Sequence, residues 1–233
     1  METPMHNELK KEFQLERMIL FSDAVFAIAI TLLVIEMKVP EISRELISED
    51  KLIEALAELI PKFIGFLVSF FIIGLYWTVH HRMFGFVINY NQRLLWLNLL
   101  FLLSIALMPF STAFYSDYLY TFFKTPVLVY ASNICFLGIM NYVLWRYIGK
   151  PERHLAEGLT KTMCRYFSIR AIMVPLAFIL MTIIYIYFPW LAVFIPVCIP
   201  LMMFGIKKLF GRKLAQELKQ THHSTEHSKA GKQ

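Results

Sequence analysis

The chain has 233 residues, 58% of them hydrophobic and 17% charged, with a mean hydropathy of +0.55 and a formal net charge of +6. Soluble domains average about 45–50% apolar and about 25% charged, so a single water-soluble core is excluded. An aromatic content of 15% excludes disorder and low complexity as well. Three widely spaced cysteines, Cys135, Cys164 and Cys198, suit neither a disulfide framework nor a zinc site. This is the composition of an all-α, multi-pass membrane protein, with the lipid bilayer as its first partner.

In chain order, Met1 to Glu16 is polar and does not resemble a signal peptide. Met18 to Ile35 is the first apolar segment; because it contains Ser22, Asp23 and Thr31, it is expected to be the weakest span by hydropathy. Phe63 to Val79 and Leu94 to Ala113 are uncharged and near the length of about 20 residues that a bilayer core requires. Pro126 to Trp145 is the fourth span. The uncharged run Ala171 to Ile206 is too long for one crossing and divides at Pro189 and Trp190. Six transmembrane helices follow, which puts both termini on one side. The predicted organisation is an N-terminal segment, 1–16, a six-helix membrane domain, 17–209, and a polar tail, 210–233, expected to be disordered.

Basic residues set the orientation. Lys10, Lys11, Arg17, Arg82, Arg93, Arg146, Lys150, Arg153, Lys161, Arg165, Arg170 and the tail cations share one face, against Lys38, Arg44, Lys51, Lys62 and Lys124 on the other. The positive-inside rule puts the termini in the cytoplasm. The net charge then reflects topology and attraction to anionic lipid, and nucleic acid is not an expected partner. The opposite face is acidic, with Glu36, Glu41, Glu45, Glu49, Asp50, Glu54, Glu58 and Asp117. It reads either as a solvated amphipathic connector or as a mouth that concentrates cations.

Asp23 is the one charged residue expected well inside a span, where ionisable groups are costly and usually functional. At about 100° per residue, Ile28, Thr31, Leu32 and Ile35 share one helix face, with Asp23 roughly 140° from Ile28. The acid therefore does not line what the aliphatic stripe lines, and is expected to turn into its own subunit.

The run Arg17-Met-Ile-Leu-Phe21-Ser22-Asp23 matches an Arg-x-x-x-Phe-Ser-Asp signature. Tyr76-Trp77-Thr-Val-His80-His81-Arg82, Trp96-Leu-Asn98 and Leu107-Met-Pro109-Phe110 add to it. On these residues the chain resembles the lysosomal-type (transmembrane-175-type) potassium channels, in their prokaryotic single-repeat form. The resemblance implies a homotetramer in which each first helix lines a central pore, without a carbonyl-lined filter. It puts the pore constriction on Ile28, Leu32 and Ile35, with Thr31 as a hydroxyl layer. Arg17, Phe21, Ser22, Asp23, Trp77, His80, His81 and Asn98 form the structural signature. Ser22 and Asp23 are expected to bond to some combination of Trp77, His80 or His81, and Asn98.

The expected function is a potassium-permeable, modestly selective cation channel with a hydrophobic gate in a prokaryotic plasma membrane. K+ is its transient passenger; no cofactor or resident metal is expected. The alternative is a secondary transporter or proton-conducting protein using Asp23 and the His80/His81 region, although the halves show no inverted repeat. No enzyme motif is present.

Overall fold

A computed structural model of the chain describes residues 4–40, 42–43, 47–118, 121, 123–192, 201–208 and 210–211. The helices are α1 (Pro4–Ile35), α2 (Glu49–Glu58), α3 (Ile60–Phe84), α4 (Gln92–Ala106), α5 (Met108–Asp117), α6 (Lys124–Ile148), α7 (Lys161–Tyr187) and α8 (Pro189–Ala192), with residues 201–208 also helical.

Among the described residues, five helical segments are long and apolar enough to cross a bilayer: Glu12–Ile35, Ile60–Phe84, Gln92–Asp117, Lys124–Ile148 and Lys161–Tyr187. Of the expected sixth span, residues 193–200 lie outside the described residues and 201–206 are helical; of the expected disordered tail, 210–233, residues 210–211 are helical and 212–233 lie outside the described residues. Two expectations need correction. The first span is the most apolar of the five, at a mean hydropathy of 2.5, because its aliphatic residues outweigh one aspartate. Asp23 is also not alone inside a span: α7 begins ten residues before Ala171 and so contains both Arg165 and Arg170.

Local chemistry explains the boundaries. The Asn91 carboxamide caps α4 by accepting from the Leu94 N–H at 2.9 Å, and the Thr160 hydroxyl caps α7 by accepting from the Met163 N–H at 3.2 Å. Leu107 separates α4 from α5, where Pro109 removes a donor from the helical ladder. The two pieces still make one crossing. Ser48 caps α2, which lies outside the spans; there Lys51 and Glu54 pair at 2.6 Å, raising the lysine pKa and lowering the glutamate's through their mutual hydrogen bond.

The helix α6 packs against α4, α5 and α7, while α1 packs on α3, α4 and α5. Close approach is built in at Gly138, where a Cβ would overlap the ring of Pro175 on α7. Small residues serve this purpose in membranes, where lipid supplies no hydrophobic force between helices. At one end of the bundle the α3–α4 and α6–α7 loops are tied by Ile88 N–H to Leu155 C=O and Glu157 N–H to Phe86 C=O, each 2.9 Å. Arg153 stacks on Tyr147 there, 3.8 Å from the ring centre. At the other end, the Thr112 and Ser69 hydroxyls are hydrogen-bonded at 2.7 Å, and Lys62 pairs with Asp117 at 2.6 Å.

Candidate functional site

Helix α1 has two unlike faces. Leu15, Met18, Ser22, Phe26, Ala29 and Leu33 recur every three or four residues and are buried against the bundle. Opposite them, Phe21, Ile28, Leu32 and Ile35 stand exposed at 53, 57, 40 and 66%, beside exposed Thr31. The Thr31 hydroxyl donates into its own helix, to the carbonyls of Ile28 at 2.9 Å or Ala27 at 3.1 Å. Its proton is thus turned inward, and its oxygen lone pairs remain on the exposed face.

The buried face is held by polar bonds to α3 and α4. Ser22, fully buried, donates to the Met18 carbonyl at 2.8 Å and accepts from the Asn98 amide at 2.9 Å. Asn98 in turn lies 2.9 Å from His80 Nε2, which donates to its oxygen. The direction of each bond follows from the last acceptor: a carbonyl takes the serine proton, so serine accepts the amide and the amide oxygen accepts the imidazole N–H. His80 sits among aromatic rings, 4.3 Å from Phe84, 5.5 Å from Phe101 and 5.6 Å from Phe26 between centres. Half-buried Asp23 accepts from the Trp77 indole N–H at 2.9 Å.

Ser22, Asp23, Trp77, His80 and Asn98 are therefore brought together, as two adjacent connections. Arg17, Phe21 and His81 are not. Arg17 is exposed and lies 5.9 Å from the Phe13 ring. Phe21 faces outward on the side of Ile28, seven residues on, and exposed His81 packs 5.9 Å from the Trp77 ring. Sequence reasoning missed the cage of Phe26, Phe84 and Phe101, whose members come from three helices and share no spacing signal.

These features define a helical membrane protein whose first helix is pinned by a polar network on one side and presents an aliphatic stripe on the other. Residues 17–109 match the family described as endosomal/lysosomal potassium channel TMEM175. The chain is 34% identical over 151 residues to a potassium channel of Chamaesiphon minutus, covering 64% of this chain and 73% of that protein. It is 31% identical over 144 residues to the endosomal/lysosomal proton channel TMEM175 of Gallus gallus, but spans only 28% of that longer protein. A crystal structure of a lysosomal potassium-selective channel TMEM175 homolog from Chamaesiphon minutus superposes with a TM-score of 0.69 at 28% identity, covering 82% of this chain and 98% of that one. The chain belongs to the TMEM175 family, a family of ion channels and not of enzymes.

Proposed function

We propose that the chain is a potassium-permeable, modestly selective cation channel that works as a homotetramer. Each copy contributes α1 to a central pore, and the copies of Ile28 form the tightest collar, with Leu32 and Ile35 beyond it. The observation that carries this reading is the exposed aliphatic stripe of α1, set opposite a face committed to the bundle. An apolar collar excludes ions by dewetting when tight and passes partly hydrated ions when wider. Potassium sheds water at less cost than sodium, and the outward lone pairs of Thr31 replace part of what is lost. With no ring of fixed carbonyl oxygens, the preference is modest. The exposed acids Glu36, Glu49, Asp50 and Glu58 favour cations at the mouth, while Glu54 and Asp117 are partly neutralised by lysines.

The basic face orients the termini to the cytoplasm of a prokaryotic cell, with the channel in its plasma membrane. Proton conduction through the buried network is the second reading, favoured by the His80–Asn98–Ser22 chain. That chain ends on the Met18 carbonyl, which has no exchangeable proton to pass on, so it serves better as an anchor. Purified protein in liposomes, compared for potassium, sodium and proton flux at matched driving force, tests the proposal together with its mass in detergent. A tetramer with potassium flux above sodium supports it, and a monomer or saturable gradient-driven exchange refutes it.

A further inference from the structure

Arg82 and Arg170 are two of the charges within the spans that the proposed pore leaves unused. Arg82 lies in the last turn of α3 and half-buried Arg170 well inside α7. Both line a shallow recess between α3, α6, α7 and Met203 of the 201–208 helix, whose enclosed volume is about 30 Å³ and which opens outward. Among the described residues neither guanidinium has a carboxylate partner. Arg82 lies 5.8 Å from the Phe167 ring, and Arg170 donates to the Tyr166 hydroxyl at 3.0 Å and to Met203 Sδ at 3.3 Å. The ion pairs Lys51–Glu54 and Lys62–Asp117 stand at the opposite end of the bundle.

The same recess is walled by residues whose buried polar groups lack a partner among the described residues. They are the Tyr76 hydroxyl, Asn141 Oδ1 and the Trp145 indole N–H, on side chains only 2, 4 and 1% exposed. Their polar atoms are enclosed by the helices, the Tyr76 hydroxyl beside Gly138 of α6, so they stand behind the wall of the recess and do not reach into it. Among the described residues no acid lines the recess, and the remaining wall includes Leu75, Val79 and Val174. Two cations beside apolar walls are the chemistry of a phosphate attached to a hydrocarbon chain, and basic pockets between membrane helices bind such headgroups.

We propose that this recess binds the phosphate of an anionic phospholipid between Arg82 and Arg170, with an acyl chain laid against Leu75 and Val79. A free phosphate would meet the same guanidiniums but leave that apolar wall uncovered. Leu75 and Val79 lie deeper along the face of α3 that carries Arg82, so the chain runs toward the bilayer centre. The inner leaflet as the source rests on the orientation proposed above; binding itself does not depend on that orientation or on conduction.

Native mass spectrometry of the full chain in neutral detergent, titrated with phosphatidylglycerol, phosphatidylcholine or inorganic phosphate, tests this. The wild type should retain phosphatidylglycerol roughly tenfold or more better than phosphatidylcholine, and Arg82→Gln should lose most of that preference. Arg82→Gln/Arg170→Gln should lose it entirely. Arg82→Gln alone keeps the test valid if the double variant does not fold, because this guanidinium is exposed and, among the described residues, has a ring face and no ion-pair partner. Arg165→Gln, which removes an exposed charge from α7 outside the recess, should retain lipid like the wild type. Unchanged retention in Arg82→Gln, equal loss in Arg165→Gln, or inorganic phosphate binding as tightly as the lipid would each overturn the proposal.

Discussion

The indole of Trp77 donates to Asp23 at 2.9 Å, joining α3 to α1 across 54 positions of sequence. A carboxylate in a span needs such a donor, because bilayer hydrocarbon supplies none. Trp77→Phe keeps most of the ring and removes the N–H, and should cost about 1–3 kcal/mol of stability. Adding Asp23→Asn removes the charge left without its partner, so the double variant should lose less than the sum of the single losses. Thermal-shift measurements on the four proteins of this cycle check the coupling; strict additivity would mean the bond contributes nothing.

Asn98 holds two partners at once. Asn98→Ala strands the buried His80 Nε2 and removes the donor that Ser22 accepts from, and should lower stability by about 1–3 kcal/mol while leaving ion preference near wild type. Size-exclusion recovery after graded heating, alongside flux ratios, separates the two effects. Intact stability with altered selectivity would place this amide on the ion path.

Gly138 meets Pro175 with no space for a side chain. Gly138→Ala should therefore force α6 from α7 and cost about 1–3 kcal/mol, read as a lower midpoint of thermal aggregation. Gly74, with open space where its Cβ would stand, is the matched control: Gly74→Ala should be neutral or stabilising.

Thr31 tests the role of lone pairs. Thr31→Val keeps the shape and removes the oxygen, so potassium preference over sodium should fall by roughly two- to tenfold, as expected for one neutral oxygen contact. Thr31→Ser should retain it. Equal ratios for the two variants, measured from reversal potentials, would remove this hydroxyl from selectivity.

Much of this arrangement was legible in the sequence because helical periodicity is local. The spacing of Ile28, Thr31, Leu32 and Ile35 gives a common face, and the structure leaves these residues exposed together. The separation of Asp23 from that face follows from the same geometry. Span boundaries were less legible where charge was used as a stop signal. Arg165 and Arg170 continue α7, since long side chains can carry their charge to polar partners such as the Tyr166 hydroxyl. Which donor meets which acceptor depends on how α1, α3 and α4 pack, so sequence could offer Trp77, His80, His81 and Asn98 but could not pair them. The aromatic cage around His80 was invisible for the same reason.

The central claim is that Ile28 forms the constriction, and single-channel recording of Ile28→Asn in planar bilayers tests it most directly. A polar collar wets at a smaller radius, so the variant should show larger conductance or leak and a reduced potassium-to-sodium ratio. A current and ion ratio identical to wild type, from a variant that assembles normally, would contradict the account.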